Sequence, residues 1–133
     1  MPFNNEKTTL QGLLILTPRL FPDDRGFFME TYKESDFIKA DINENFVQDN
    51  HSRSSKRTLR GLHFQRPPYA QAKLVRCTRG RLWDVAIDLR PSSPTYKQWH
   101  GVELSEENRV MFFIPAGFAH GFVALEDGTE LQY

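Results

Sequence analysis

The sequence predicts an all-β fold of the barrel or sandwich type. Phe, Tyr and Trp make up 13% of the 133 residues, and aromatic side chains suit the half-buried faces of a sheet. Eight Gly and eight Pro residues separate short apolar runs of strand length. The runs follow one another without a repeat or a linker, so we expect a single domain over residues 1–133.

Nine strands and one helix are predicted. The strands cover residues 12–16, 26–32, 46–50, 73–78, 82–89, 99–104, 110–114, 121–125 and 130–133. The helix covers 34–40, with Ser35 as the candidate N-cap and Phe37, Ile38 and Ala40 as the inward-facing residues. Residues 78–81 are predicted to form a hairpin turn in which Gly80 has a positive φ, and 88–94 to form a proline-containing loop. Serial hairpins of this kind build antiparallel jelly rolls.

Charge and cysteine content exclude several classes of protein. Lys plus Arg and Asp plus Glu both number 17, so no net field attracts nucleic acid or anionic lipid. No apolar run approaches the roughly 20 residues that span a bilayer, and the N-terminus does not resemble a secretory leader. Cys77 lies within a strand-like run and is expected to be a reduced core thiol. We therefore expect a soluble cytoplasmic protein with no nucleic-acid or membrane partner.

The two-residue period of a strand places Lys73 on the same face as Val75 and Cys77. A lysine that points into a barrel among apolar neighbours is a candidate functional group. By the same period, Gln48 and Asn50 would share a face with Phe46.

His63 is by default a packed histidine that hydrogen-bonds to backbone. Arg60 would lie on the opposite face of a regular strand, but a bulge at Gly61 would turn both side chains inward. Lys73 and His120 lie in segments that could converge on the same interior. Four cationic or titratable groups are costly to bury without a ligand, so the sequence favours a ligand-binding cavity.

Two segments resemble the halves of the cupin metal-binding motif. The residues Pro115, Gly117 and His120 match its second half. In the first half, His63 is retained, but Gln65 replaces the second histidine and Lys73 replaces the carboxylate. A metal would keep only two histidines as ligands, and an ammonium cannot act as a ligand. We therefore predict acid–base chemistry without a metal.

The chain resembles the dTDP-4-dehydrorhamnose 3,5-epimerase family within the cupins. Segments in the family's order and spacing cover residues 24–30, 46–54, 59–65, 73–76, 83–96 and 114–122. The resemblance implies a cupin-type antiparallel jelly-roll barrel with one or two short helices. It also implies inversion of C3 and C5 of dTDP-4-dehydro-6-deoxy-D-glucose, giving dTDP-4-dehydro-L-rhamnose for rhamnose biosynthesis, with neither cofactor nor metal.

The resemblance also assigns roles to individual residues. It implies that His63 is the base, that Tyr133 is the acid, and that Lys73 places positive charge against the enolate oxygen. Arg60 matches a phosphate-binding residue. Further substrate contacts are implied for Arg25, Glu30, Gln48, Asp49, Asn50, Lys73 and His120. In the family Arg25 and Glu30 reach the neighbouring subunit's site through an exchanged N-terminal segment, which implies a homodimer.

Members of the family continue well beyond the position of Tyr133, and that part supplies an aspartate partner for the catalytic histidine. We therefore expect the domain to be incomplete at its C-terminus, with Asp84 or Asp49 as candidate replacements. Trp83 and Trp99 are expected to be packing or interface residues. Arg76, Arg79 and Arg81 are expected to be solvated.

Three alternative functions remain open from the sequence. A related 3-epimerase or 3,4-ketoisomerase would use the same enolate. A non-catalytic nucleotide-sugar binding cupin would bind dTDP without proton exchange. A metal-dependent cupin oxygenase is the third alternative, and Gln65 and Lys73 argue against it.

Overall fold

The computed structural model describes residues 3–66 and 70–133. Within these ranges the protein is almost entirely β, which confirms the predicted fold class. The strands are β1 Phe3–Lys7, β2 Leu14–Pro18, β3 Leu20–Asp23, β4 Gly26–Met29, β5 His51–Ser54, β6 Leu59–His63, β7 Lys73–Arg79, β8 Arg81–Asp88, β9 Trp99–Ser105, β10 Met111–Ile114, β11 Phe118–Ala124 and β12 Thr129–Gln132. The single helix in the described ranges, α1 Glu34–Lys39, lies between β4 and β5.

The strands form two antiparallel sheets with a shared interior. One sheet has the order β1-β2-β10-β7-β12-β5 and the other β6-β11-β8-β9. Val75 and Phe112 of the first sheet and Leu82 and Phe122 of the second belong to one buried cluster, so the sheets pack face to face as in a jelly roll. β3 and β4 form a separate two-stranded sheet.

The alternation predicted for β7 is confirmed. Val75 and Cys77 are buried in the barrel interior, while Leu74 packs against the other face of the sheet. Burial raises the pKa of the Cys77 thiol to about 11, so Cys77 is a neutral core thiol near pH 7. No helix in the described part of the chain is long and apolar enough to cross a membrane.

Helix α1 covers the outer face of the six-stranded sheet. Phe37 is buried there against Phe3 and Phe113, and burying a side chain of this size contributes roughly 1.5–3 kcal/mol. Two details of the predicted helix are wrong. The N-cap is Lys33, without a side-chain cap, and Ile38 is 48% exposed because a residue next to an inward-facing position is rotated away from the sheet.

The predicted strand over 46–50 is wrong. This segment has no regular secondary structure, although the Asn50 and Tyr133 backbones exchange hydrogen bonds of 2.6 and 3.0 Å. Strands β1, β3, β5 and β6 were not among the predicted runs. β5 has the polar sequence His-Ser-Arg-Ser and is a strand because it pairs with β12, a long-range interaction that short-range apolar patterning cannot reveal.

The turn at Gly80 does not join a hairpin. β7 pairs with β10 and β12, whereas β8 pairs with β9 and β11, so the chain changes sheets at this point. The predicted positive φ is confirmed at +77°, and a Cβ on Gly80 would lie 2.6 Å from Thr129 Oγ1. Glycine is needed here both for its backbone conformation and for the close approach of Thr129.

Candidate active site

A bulge in β6 brings Arg60 and His63 to the same face of the sheet. Arg60 pairs with Phe122 and His63 pairs with His120. An interval of three residues along β6 therefore lies opposite an interval of two residues along β11, which defines the bulge. Gly61 has φ +123°, and a Cβ there would lie 2.6 Å from the Cα of Gly121. Residues directly opposite in an antiparallel pair share a face, and Phe122 faces the interior. The predicted inward turn is confirmed, although both side chains remain exposed at the sheet edge.

His120 and Asp84 form a buried pair in the barrel interior. His120 Nε2 lies 2.8 Å from Asp84 Oδ2, and the two residues are 3% and 0% exposed. Asp84 reaches the interior because it alternates with the buried Leu82 and Ala86 along β8. From the sequence, Asp84 is expected only as a candidate partner for His63. An acidic residue between two inward-facing apolar positions of a predicted strand is the signal that could have identified the pair.

Burial and nearby charges shift the pKa of the Asp84 carboxyl group in opposite directions. Burial raises the pKa of its carboxyl group, and His120 and Lys73 oppose this rise. Asp84 Oδ1 is buried without a hydrogen-bond partner among the described residues. Burial also lowers the pKa of Lys73, opposed by the charge of Asp84. The interior therefore contains a carboxyl group that contacts an imidazole, with an ammonium close enough to influence the carboxyl group.

Tyr133 approaches the same pair from β12. Its ring centroid lies 6.4 Å from that of His120, with an interplanar angle of 62°. Because His63 is directly opposite His120 in the ladder and Lys73 acts on Asp84, four of the predicted site residues surround one region of the barrel. An imidazole, a phenol and an ammonium in one region are groups that can move protons and stabilise negative charge.

An open cavity of about 510 Å³ adjoins this region. It is lined by the predicted Gln48, Asp49, Asn50, Lys73 and Tyr133, and by further residues including Tyr32, Phe46, Arg76 and Gln132. Gln48 Nε2 donates to Asn50 Oδ1 at 3.1 Å. The volume of the cavity and its mixed polar and aromatic lining are typical of a small-molecule site. Arg76 and Gln132 were not predicted as site residues. The expectation that Arg76 is solvated is wrong, because its side chain is half-buried.

Four predicted binding residues lie away from the cavity lining, and one of them is the buried His120 described above. The predicted base His63 does not line the cavity either. Arg60 donates from Nε to Ser54 Oγ at 2.9 Å and from Nη2 to the carbonyl oxygen of Arg53 at 3.3 Å. Arg25 lies at the tip of the β3–β4 hairpin, where its 91% exposed side chain contacts Asp23 at 2.8 Å. Glu30 follows β4 on the same hairpin. These residues are not brought to the cavity within one chain.

Residues 3–66 and 70–133 contain no group of three or more His, Cys, Asp or Glu side chains placed to hold a metal ion. Asp84 and His120 contact each other, and Lys73 is the nearby cation. These residues instead suit proton transfer beside a fixed positive charge.

Comparisons with known proteins show the family of this chain. The family model described as dTDP-4-dehydrorhamnose 3,5-epimerase matches residues 7–133. The dTDP-4-dehydrorhamnose 3,5-epimerase of Escherichia coli K12 is 56% identical over 128 residues, which are 96% of this chain and 69% of that protein.

Two solved structures have the same fold over nearly the whole chain. The dTDP-4-dehydrorhamnose 3,5-epimerase of Bacillus anthracis, solved with TDP and PPi bound, superposes with a TM-score of 0.95 at 44% identity and covers 98% of this chain and 75% of its own. The 3,5-epimerase of Legionella pneumophila, solved in complex with dTDP-4-keto-L-rhamnose, superposes with a TM-score of 0.94 at 44% identity. The match covers 98% of this chain and 69% of that one. By sequence and by fold, this chain belongs to the dTDP-4-dehydrorhamnose 3,5-epimerase family.

Proposed function

We propose that the protein inverts C3 and C5 of dTDP-4-dehydro-6-deoxy-D-glucose and forms dTDP-4-dehydro-L-rhamnose in rhamnose biosynthesis. Family membership supports the choice of substrate. The observation that carries the proposal is that Lys73 and Tyr133 line one cavity, while Tyr133 lies against His120, which is opposite His63 in the β6–β11 ladder. These side chains are the types that an enolate mechanism requires.

The mechanism follows from the C4 ketone, which acidifies the protons on both neighbouring carbons. His63 removes a proton from one face, and the electron pair of the broken C–H bond moves into an enolate. Lys73 stabilises the charge on the enolate oxygen, and Tyr133 donates a proton to the opposite face, which inverts the centre. His63 and Tyr133 then exchange protons with solvent before the second centre reacts.

His120 contacts the substrate in this proposal, and Asp84 keeps its ring in place. A carboxylate that accepts from one imidazole nitrogen fixes both the ring orientation and the tautomer. The 2.8 Å contact between His120 and Asp84 supports this division of roles. Gln48, Asp49 and Asn50, which line the cavity, supply polar contacts to the nucleotide sugar.

The functional unit is proposed to be a homodimer in the cytoplasm. Arg25 and Glu30 would complete the neighbouring subunit's site, because their hairpin belongs to neither main sheet and exposes Phe27 and Phe28. The four-stranded sheet also exposes aromatic and aliphatic side chains, namely Leu59, Leu62, Trp83 and Trp99. Exposed apolar surface of this kind supports an interface, and the free thiol of Cys77 supports a reducing compartment.

Solvent-exchange kinetics test the proposed reaction. The purified protein is incubated with dTDP-4-dehydro-6-deoxy-D-glucose in D₂O, and the sugar is followed by NMR. Deuterium at C3 and C5 with formation of the L-rhamno product is the expected result. Exchange at C3 alone would indicate a 3-epimerase, and dTDP binding without any exchange would indicate a binding module. Either outcome would replace the proposed function.

A further inference from the structure

Arg90 joins three loops next to the strand that carries His120. It follows the end of β8, and its side chain is partly buried. Its Nε and Nη2 donate to the two carboxylate oxygens of the fully buried Asp88 at 3.0 and 3.1 Å. Nη2 also donates to the carbonyl oxygen of Gln11 at 2.9 Å, which lies between β1 and β2. The guanidinium therefore connects the loop after β8 to the loop after β1.

The same side chain packs against the turn between β10 and β11. A Cβ on Gly117 would lie 2.6 Å from Arg90 Cγ, and Gly117 has φ +92°. The guanidinium carbon lies 4.8 Å from the ring centroid of Phe118, the first residue of β11, a distance typical of a cation–π contact. The backbone amide of Leu89 donates to the carbonyl oxygen of Gly117 at 3.0 Å. The start of β11 is therefore held against the end of β8.

The register of β11 on β8 determines where His120 lies. Phe118 is opposite Asp88, and His120 is opposite Ala86. Residues two apart on a strand share a face, so Phe118 and His120 both point into the interior, where both are buried. The 2.8 Å contact of His120 with Asp84 depends on this register, because a slip of one residue would turn His120 to the outer face.

The ion pair of Arg90 and Asp88 has a defined geometry. A buried ion pair often contributes no more stability than apolar side chains of the same volume. A guanidinium fork, however, fits a carboxylate in one orientation. Ser93 and Thr95 each donate to the same carboxylate at 2.6 Å, so the acceptor is itself held in place. The pair is therefore better suited to fixing a position than to adding stability.

We propose that Arg90 is a positioning residue for the reaction and acts through His120. By binding Asp88 and packing on Phe118, it fixes the start of β11. His120 follows two residues along the strand and is thereby kept beside Asp84. The consequence for catalysis rests on the proposed function, in which His120 contacts the substrate. The effect on His120 itself rests only on the contacts of Arg90.

NMR of the histidine side chains and steady-state kinetics test this inference. The imidazole signals of His120, assigned by their absence in H120Q, are compared in the wild type and in R90Q. Loss of the fork should loosen the start of β11, so we expect the His120 signals to shift. We also expect kcat to fall roughly ten- to a hundredfold, since a displacement of about 1 Å can cost that much. A folded R90Q with the His120 signals or the kcat of the wild type would overturn the inference.

Two controls separate positioning from a general loss of stability. R79Q removes an exposed arginine of β7, and L16A truncates a buried side chain in the cluster on the outer face of the six-stranded sheet. L16A is expected to lower the melting temperature, but both controls should keep the His120 signals and the kcat of the wild type. Equal shifts of the His120 signals in L16A and R90Q would attribute the effect to stability and contradict the positioning role.

R90K keeps the charge and removes the fork, so it provides a second test if R90Q does not fold. Its His120 signals are expected to shift and its kcat to fall by a smaller factor, and wild-type values would contradict the inference. Deuterium exchange by the wild type separates the two proposals. Shifted His120 signals in R90Q without exchange by the wild type would refute only the proposed reaction. Exchange by the wild type with unshifted His120 signals in R90Q would refute only the inference.

Discussion

His120 lies opposite His63 in the β6–β11 ladder and contacts the Asp84 carboxyl group through Nε2 at 2.8 Å. The two histidines thus share one face of the sheet, but the Asp84 carboxyl group contacts His120 and not His63. Among the described residues, the side chain of His63 has no hydrogen-bond partner. His63 remains exposed at the sheet edge, where it can exchange protons with water.

Replacing Asp84 tests the buried pair. In D84N the His120 ring loses its anionic acceptor, so we expect kcat to fall by at least about tenfold. The variant should still fold, because asparagine has nearly the size of aspartate and its amide oxygen can still accept a hydrogen bond from His120 Nε2. Kinetics and thermal melts of D84N are compared with those of E107Q, an exposed acidic residue. A folded D84N with wild-type kcat would contradict the positioning role.

Replacing His63 tests the base. H63Q should reduce solvent deuterium incorporation at both carbons by roughly 10²- to 10⁴-fold, the usual contribution of a general base. H51Q is the matched control, because His51 is exposed on β5 and contacts Glu130 at 3.1 Å. Exchange in H63Q at the wild-type rate would assign the base to another residue.

Replacing Tyr133 separates the two proton transfers. In Y133F the base can still remove a proton and return a deuteron to the same face, so we expect exchange to continue while inversion falls. NMR distinguishes deuterated starting material from the epimerised product. Equal losses of exchange and inversion would indicate that Tyr133 does not act as the separate acid.

The alkaline limb of the pH–rate profile tests Lys73. Burial lowers the pKa of Lys73 from its usual 10.5, so the ammonium loses its proton at a lower pH than a free lysine does. We expect kcat/KM to fall as the pH rises through this lowered pKa. The limb should disappear or move to higher pH in K73R, because a guanidinium stays protonated. An unchanged limb in a K73R enzyme that retains activity would assign the titration to another group.

Asp88 provides a prediction about stability rather than catalysis. Burial favours its neutral form, but hydrogen bonds from Arg90, Ser93 and Thr95 outweigh this effect and hold the pKa well below 3.8. The ionised carboxylate therefore stabilises the folded protein above the unfolded pKa of about 4. That stabilisation is lost as the pH falls from about 4 towards the lowered folded pKa.

We expect D88N to lower the free energy of unfolding at pH 7 by about 1–3 kcal/mol, since it disrupts charged hydrogen bonds. The variant should also show a weaker dependence of stability on pH below about 4. Urea unfolding across this range, with E107Q as the control, measures both effects. A parallel pH dependence in D88N and the wild type would exclude Asp88 as the source.

Some elements of the fold were predictable because their signals are local. The alternation in β7 placed Lys73 with Val75 and Cys77, and the glycine at 61 indicated the bulge that turns His63 inward. Strand β5 was not predictable in this way, since its polar sequence is held by pairing with β12, more than seventy residues away. The turn at Gly80 was assigned to a hairpin because a corner between sheets uses the same turn chemistry.

Local patterns in the amino-acid sequence predict the all-β class, the inward face of β7 and the residue types suited to an enolate mechanism. Short-range periodicity and motif spacing are sufficient for these properties. The folded structure is needed to see that Asp84 contacts His120, that Arg76 lines the cavity and that Arg25 and Arg60 do not line it. These relations depend on which strands are neighbours and on how each side chain is buried. Pairing between strands distant in sequence sets both, and no local pattern encodes it.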